Sequence, residues 1–310
     1  FFNKGIDALR DAVNAFIEKT AEKNNGITDE NKRIRLSIVK FSGNENTTTG
    51  NSTYRDGGYT YNYSQIMQGL TVCEGAAVNT LKSNVNAIKP AGATRADNGM
   101  KRAQAALASA RENAKKVVIF FTDGTPTSFD KFDPSVASTA IATAKAIKDD
   151  GGEIYTVGIF SGANPSDDIN SNRTSDENKF MHAVSSNYPQ AAYTSDGWDN
   201  YSWNFGDPAT NPNYYLAASS ADELNNVFES IFTSVSTLLP GPTHVTGNPQ
   251  QDGYVTFDDT LGDYMEVKSF EAVAFAKHVF KQPTKITSGN VDTYTFTGKH
   301  DDTVSGAYPD

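Results

Sequence analysis

The sequence predicts an α/β protein in which a doubly wound, mostly parallel sheet is flanked by helices and is followed by a smaller all-β part. Up to Leu239, short apolar runs alternate with segments whose apolar residues recur every three or four positions. Residues 117–121 are apolar at every position, as expected for a strand buried on both faces. Beyond Pro240 the helical spacing stops, and short β-rich pieces follow one another.

The first half of the chain is predicted to run helix, strand, helix, helix, strand. Apolar residues at helical spacing predict a helix over residues 6–16, and a β-branched alternation predicts a strand over 34–41. A polar segment rich in Asn, Thr, Gly and Tyr, residues 43–63, predicts an inserted surface loop. Two further helices are predicted over residues 76–88 and 96–112, ahead of the apolar strand.

The second half continues the alternation around a longer polar insertion. The predicted elements are helices over residues 137–148 and 220–235, strands over 153–160 and 214–218, and a helical piece at 178–184 within an insertion at 161–213. Ser220 and Glu223 have the spacing of a capping box at the start of the last helix. We expect residues 1–239 to form one domain with two inserted loops, and 240–310 to begin a β-rich, sandwich-like stalk domain.

The composition is that of an acidic globular protein. The 310 residues are 37% hydrophobic and 11% aromatic, which is enough to fill a core, and the formal net charge is -10. Nucleic acids and anionic membranes favour clustered Lys and Arg, so we expect neither nucleic-acid binding nor membrane contact in this chain. A cation or a basic partner fits the charge better.

The single cysteine, Cys73, excludes an internal disulfide and any cysteine-built zinc or iron–sulfur site in this chain. We expect it to be a small buried side chain. Scarce cysteine together with abundant Asn, Thr, Ser and Tyr resembles the secreted surface proteins of Gram-positive bacteria. The cysteine count alone fits a cytosolic protein equally well, so the expected extracellular location depends on this resemblance.

Two oxygen-bearing side chains are predicted at the same edge of the sheet. The string FFTDGTPT, residues 120–127, brings Asp123 to the carboxyl end of a buried strand, where doubly wound sheets bind their ligands. In the string GATRAD, residues 92–97, Thr94 offers a hydroxyl on a loop ahead of a helix. Oxygen atoms of this kind are the ligands that Mg²⁺ prefers. The pair predicts a cation site.

These residues resemble the von Willebrand factor A family, also called the integrin inserted-domain family. Its members hold a divalent ion with three loops, which carry D-x-S-x-S, a Thr, and an Asp commonly followed by Gly. Thr94 matches the second loop and Asp123 the third, and the first predicted helix is similar to the first helix of the family. The resemblance covers roughly residues 1–239. Because no D-x-S-x-S precedes that helix here, we expect the first strand and its loop to lie upstream of Phe1 in the parent protein.

The resemblance implies a metal-dependent adhesion site. Asp123 would hold Mg²⁺, Mn²⁺ or Ca²⁺ mostly through water, Thr94 would bind directly or through water, and an acidic side chain of a partner would complete the shell. A domain of this kind with long insertions, followed by β modules, is similar to pilus-tip and surface adhesins of Gram-positive bacteria. It implies a cell-wall-anchored protein whose partners are a host extracellular-matrix or cell-surface protein, or a glycan, together with other pilus subunits.

The second insertion contains the strongest candidate for a specificity surface. Residues 191–215 include Tyr193, Trp198, Tyr201 and Trp203 and contain no Lys or Arg. Rigid aromatic side chains provide contact area at a small cost in conformational entropy, so these four are predicted ligand-binding residues. The alternative is an insertion that closes over its own aromatic side chains.

The sequence does not predict an enzyme. Haloacid dehalogenase-like phosphatases carry Asp-x-Asp-Gly-Thr at the end of a strand, but here Phe121 stands in place of the nucleophilic Asp. The four histidines are scattered, and neither a nucleophile elbow nor a P-loop motif occurs. Two other non-enzymatic alternatives are a structural pilus or cell-surface subunit without a competent ion site, and an intracellular cofactor of an AAA-type chelatase, which the β-rich part disfavours.

Overall fold

The computed structural model describes residues 2–112, 114–198 and 200–238, together with short strand segments between residues 244 and 295. The chain divides into two compact units, Phe1–Leu239 and Pro240–Asp310. Among the described residues, no helix combines the length and the apolar character that crossing a lipid bilayer requires.

The described part of the first unit contains six helices. They are α1 (Phe2–Asn25), α2 (Gly75–Ala87), α3 (Ala96–Leu107), α4 (Pro134–Asp149), α5 (Asp176–Val184) and α6 (Ala221–Leu238). At the start of α6 the hydroxyl of Ser220 accepts a hydrogen bond from the backbone N–H of Glu223 at 3.2 Å. The Glu223 carboxylate accepts from the backbone N–H of Ser219 at 2.7 Å, which satisfies a second backbone donor at this helix end.

The strands of the first unit form several sheets. They are β1 (Arg35–Lys40), β2 (Thr53–Asp56), β3 (Tyr59–Asn62), β4 (Gln65–Val72), β5 (Val117–Thr122), β6 (Glu153–Gly158), β7 (Ala192–Ser195), β8 (Tyr201–Asn204) and β9 (Tyr215–Ala217). β5, β6 and β9 form a parallel sheet in that order, with Val117 opposite Glu153 and Thr156 opposite Tyr215. β1 and β4 pair antiparallel. The predicted mixed α/β class with a parallel sheet is confirmed.

Helices bury both faces of the parallel sheet. One apolar cluster joins the sheet to α3, α4 and α5, and includes Met100, Phe120, Ile141, Ile154 and Phe180. A second cluster joins it to α1 and α6, and includes Ala12, Tyr155, Val157, Phe228 and Ile231. Because Ile154 and Tyr155 are neighbours in β6 but belong to different clusters, the strand is buried on both faces. This is why the sequence of these strands is apolar without alternation.

β1 and β5 belong to different sheets, and no described hydrogen-bonded pairing joins them. At one end the ring of Phe41, just after β1, stacks on Phe120 of β5 with ring centroids 5.0 Å apart. At the other end Nη1 of Arg35 donates to the carbonyl oxygen of Ser109, ahead of β5, at 3.0 Å. Within the described part of the chain, each leaves one edge unpaired.

The two insertions are more regular than the sequence predicted. Residues 43–63, expected to be a surface loop, contain the antiparallel hairpin β2–β3, which turns at Gly57 and Gly58 with φ of 53° and 86°. The segment 161–213 contains α5, as expected, and also the hairpin β7–β8. The expectation of plain loops is corrected. Aromatic and polar residues alternate in these hairpins, but each strand is only four residues long and lies within a polar segment, so the alternation gives a weak signal.

The second unit is described only in part. Its described strands pair antiparallel: β10 (His244–Thr246) with β11 (Thr256–Asp258), β12 (Ala272–Phe275) with β13 (His278–Lys281), and β14 (Thr284–Ser288) with β15 (Val291–Thr295). Pro240, where we expect the second domain to begin, lies outside the described residues. The sandwich-like architecture of this unit stays a prediction.

A buried histidine gives the first unit a predicted sensitivity to acid. His182 of α5 is 5% exposed, and its Nδ1 lies 3.1 Å from Nδ2 of Asn187, which assigns the ring proton to Nε2. Burial lowers the pKa of His182 from 6.5 to about 4. The folded protein therefore keeps this ring neutral where the unfolded chain protonates it.

We expect the free energy of unfolding to fall as the pH drops from 6.5 towards 4. The unfolded state binds one more proton than the folded state in this window, which costs on the order of 2–3 kcal/mol at its acid end. Urea unfolding at neutral pH and at the acid end measures the difference, and the variant His182→Gln should lose this part of the pH dependence. An identical acid loss in both proteins would contradict the assignment.

Candidate functional site

Thr94 and Asp123 lie on two loops that are hydrogen-bonded to each other at one end of the parallel sheet. Asp123 directly follows β5, and Thr94 precedes α3. The backbone N–H of Thr127 donates to the carbonyl oxygen of Thr94 at 3.0 Å, and the backbone N–H of Thr94 donates to Oγ1 of Thr127 at 3.2 Å. These two reciprocal bonds hold the loop of Thr94 against the loop of Asp123.

The oxygen atoms of both predicted residues are unengaged by described neighbours. A Cβ placed on Gly124 would lie 3.3 Å from Oγ1 of Thr94, so this hydroxyl is next to the residue that follows Asp123. Asp123 is exposed. Among the described residues, neither the Asp123 carboxylate nor the Thr94 hydroxyl forms a side-chain hydrogen bond or a salt bridge. The structure thus places two side chains, whose oxygen atoms have no described partner, on adjoining loops.

The loop that carries Asp123 is held in place along its length. The hydroxyl of Thr122 donates to the carbonyl oxygen of Gly124 at 3.0 Å. Oγ1 of Thr125 donates to Oε1 of Glu177 in α5 at 3.0 Å. Asp133 caps α4 by accepting hydrogen bonds from two backbone N–H groups of its first turn. A loop fixed at three points can hold a carboxylate in one position without help from a ligand.

The charge of Arg95, the residue after Thr94, is neutralised locally. Its Nε and Nη2 donate to the two carboxylate oxygens of Asp97 at 2.9 and 2.7 Å, and the Asp97 side chain is 6% exposed. The hydrogen bond that Arg95 donates to Asp97 raises the pKa of Arg95. Since Asp97 matches the guanidinium charge at close range, Arg95 opposes a cation at this edge only weakly.

The chemistry of this edge fits a hard divalent cation. A carboxylate and a hydroxyl are ligands that Mg²⁺ and Mn²⁺ accept, with waters filling an octahedral shell. The described residues contain no group of three His, Cys, Asp or Glu side chains that would surround an ion. A site built from Thr94 and Asp123 would therefore be open, and it would leave positions for further oxygens from outside the described residues.

The four predicted aromatic residues do not form one exposed surface. Tyr193 is 7% exposed, and its ring stacks on Trp203 with centroids 4.0 Å apart. Tyr201 packs against Tyr193 at 5.2 Å, so three of the four form a ladder along the hairpin β7–β8. Trp198, at the tip of the hairpin, is 85% exposed. The three residues of the ladder pack against one another, as expected for an insertion that closes over its own aromatic side chains. Among the four, Trp198 is the residue whose side chain is exposed to solvent.

Each insertion is attached to one of the two loops. Phe132, in the loop after Asp123, packs against the rings of Tyr193 and Trp203 at 6.2 and 6.4 Å. On the other side, the backbone N–H of Asn62 in β3 donates to the carbonyl oxygen of Ala91, in the loop of Thr94, at 3.1 Å. The hairpins β7–β8 and β2–β3 therefore flank the site.

Sequence reasoning missed several residues that shape this edge. Thr127 belongs to the string that contains Asp123, but nothing in that string indicates a hydrogen bond to Thr94. Glu177 and Phe132 lie on segments to which the sequence assigns no part of the site. Their side chains act through contacts between residues far apart in the chain, and only a three-dimensional arrangement displays such contacts.

Solved structures with a similar fold are distant in sequence. They include the pilus adhesin SpaC from Lactobacillus rhamnosus GG in an open conformation, with a TM-score of 0.49 and 14% identity over 95% of this chain and 35% of that chain. The vWF domain of the type V pili tip protein Mfa5 from Porphyromonas gingivalis gives 0.48 and 12% over 78% of this chain and 91% of that one. The D319A mutant of the PilB minor pilin from Streptococcus sanguinis gives 0.47 and 13% over 76% and 55%.

The chain spans about a third of the length of SpaC, so the activity of such a longer protein does not transfer to it. A search of curated proteins by sequence found no match. The model of the von Willebrand factor type A domain, however, matches residues 5–202, which is more than half of the chain and includes Thr94, Asp123 and both insertions in large part. The chain therefore belongs to the von Willebrand factor type A domain family.

Proposed function

We propose that this chain is the binding head of an extracellular surface or pilus adhesin, and that it engages a partner protein through a divalent ion held at Thr94 and Asp123. One observation carries the proposal. The loop of Thr94 and the loop of Asp123 are hydrogen-bonded to each other, and they leave the Thr94 hydroxyl and the exposed Asp123 carboxylate without a described partner. Mg²⁺ is the proposed ion, and Mn²⁺ and Ca²⁺ are the alternatives.

The ion would supply an electrophilic centre that attracts a carboxylate of the partner. In this chain, Asp123 would hold the ion mostly through water and Thr94 directly or through water. A single protein carboxylate leaves most of the charge of the ion unneutralised, so an incoming acidic side chain is favoured.

The location of the protein is proposed from its composition. One cysteine in 310 residues, with many Asn, Thr, Ser and Tyr, fits a secreted surface protein that is stabilised by packing. The proposed partners are a host extracellular-matrix or cell-surface protein and other pilus subunits, and a glycan is the alternative ligand.

A calorimetric titration tests the ion site. Titrating Mg²⁺ and Mn²⁺ into the chelator-treated, full-length protein should give a saturable heat, and the same ions should raise the melting temperature, because a ligand that binds only the folded state stabilises it. Thr94→Val should weaken ion binding by about 10-fold, as loss of a partner in a metal site does. Ser128→Ala, on the same loop but without a proposed role, is the control.

Adhesion is tested separately with immobilised collagen, fibronectin and fibrinogen as probes. Binding that requires the ion and is reversed by a chelator supports the adhesin. Absence of any ion heat, or binding to other pilus subunits that a chelator leaves unchanged, would overturn the ion mechanism in favour of a structural subunit.

A further inference from the structure

Trp198 is an exposed indole held on a preorganised turn. Its side chain is 85% exposed, whereas the other tryptophan, Trp203, packs into the hairpin ladder. Oδ1 of Asp196 accepts a hydrogen bond from the backbone N–H of Trp198 at 2.7 Å, and Oδ2 accepts from Nδ2 of Asn200 at 3.0 Å. The backbone N–H of Asp196 donates to the carbonyl oxygen of Asn200 at 3.1 Å, which closes the turn.

The turn stands on a rigid base. Below it the rings of Tyr193 and Trp203 stack at 4.0 Å, and Trp203 and Phe205 stack at 5.7 Å. The edge of Phe132 packs on the same ladder from the loop that follows Asp123. An aromatic ring that is fixed in this way loses little conformational entropy when it binds, and its position relative to the loop of Asp123 is set.

The segment that carries Trp198 is acidic in sequence. Residues 191–215 contain Asp196, Asp199 and Asp207 and no Lys or Arg. Hydrogen bonds from Asn200 and from the backbone of Trp198 lower the pKa of Asp196, so this carboxylate stays ionised into the acid range. The cation–π contact found within the described residues is that of Lys285 over Tyr294, and no described Lys or Arg covers the indole of Trp198.

We infer that the tip of β7–β8, at Asp196, Trp198 and Asn200, docks an exposed arginine or lysine side chain from a basic segment of a partner protein. A guanidinium or ammonium group is attracted to the face of an indole, and the Asp196 carboxylate in the same turn offers an acceptor for a charge-assisted hydrogen bond. Guanidinium fits better because its plane stacks on the ring. This contact deepens the proposed adhesion by giving the partner a basic segment. It does not require the ion.

Binding of a blocked peptide of alternating glycine and arginine, measured by calorimetry in the presence of a chelator, tests the inference. Trp198→Ala should raise the dissociation constant by about 3- to 10-fold, and Trp198→Tyr should restore part of the affinity. Asp196→Asn keeps a hydrogen-bond acceptor for the turn and should weaken binding by about 3-fold and reduce its salt dependence. Tyr59→Ala, at the tip of the other hairpin, is the matched control and should leave binding unchanged.

The chelator separates this inference from the proposed ion site. Loss of ion binding in the protein, with the arginine peptide still dependent on Trp198, would overturn only the ion mechanism. Equal peptide affinity for the wild type and Trp198→Ala, or equal affinity for a glycine and glutamine peptide, would overturn the inference. Trp198-dependent binding of neutral glycans in the absence of any peptide affinity would also overturn it and assign the tip to sugars.

Discussion

Replacing Asp123 by Ala should reduce the affinity of the full-length protein for Mg²⁺ by at least about 100-fold, because loss of even an outer partner of a bound metal costs 10- to 100-fold. Asp123 is exposed and free of described hydrogen-bond partners, so its removal should leave the fold unchanged. Calorimetry gives the affinity, and the melting temperature in the presence of a chelator checks the fold. Ion-dependent adhesion should be lost in parallel.

The matched control is Asp130→Ala. Asp130 is an exposed carboxylate on the same loop, seven positions further along, and it carries no proposed role. We expect its removal to change Mg²⁺ affinity by no more than about twofold, because exposed charges act weakly through water. Equal losses in both variants would show that Asp123 contributes only general negative charge, and an unchanged affinity in Asp123→Ala would remove it from the site.

The second large effect is expected in the core. Phe120 is 4% exposed, stacks on Phe41 at 5.0 Å and meets Phe180 edge to face at 6.2 Å. Phe120→Ala should lower the free energy of unfolding by about 3–5 kcal/mol, since it removes buried area, leaves a cavity and breaks two aromatic contacts. Urea unfolding with a common slope for both proteins measures the change.

Phe129→Ala is the control for this core variant. Phe129 is 79% exposed in the loop after β5, and its removal should change stability by less than about 0.5 kcal/mol. A small effect of Phe120→Ala would mean that Phe41 and Phe180 close over the space, in contradiction to a tightly packed contact between β1, β5 and α5.

Periodicity predicted the buried elements well, and the reason is physical. α4 and β5 face apolar neighbours along most of their length, so burial imposes the 3.6-residue and the continuous patterns on their sequences. β4 was not predicted, because Gln65 and Gln68 interrupt its apolar residues. The buried amide of Gln65 accepts a hydrogen bond from the backbone N–H of Ser52 and donates one to the carbonyl oxygen of Thr48. A buried polar residue that is satisfied in this way looks exposed in the sequence.

The sequence predicted the two residues that offer oxygen ligands at the candidate site, but it did not predict the residues that hold their loops in place. Asp123 follows an apolar strand and Thr94 precedes a helix, so topology alone places both at the carboxyl edge of the sheet. The bonds between Thr94 and Thr127, and between Thr125 and Glu177, join segments whose spacing in sequence gives no signal. Of the four aromatic residues, Trp198 is exposed, whereas the other three pack against one another. Their burial depends on the hairpin β7–β8, which the sequence did not predict.

The unpaired edges of β1 and β5 have a consequence for how the isolated head behaves in solution. β6, bonded on both sides, is buried from Ile154 to Gly158, whereas β5 is buried only at Phe120 and Thr122. Each exposed edge presents a row of amide and carbonyl groups that matches any extended peptide. Chains purified alone are therefore prone to self-association by strand addition at rising concentration, and a short apolar peptide added in excess competes for the same row.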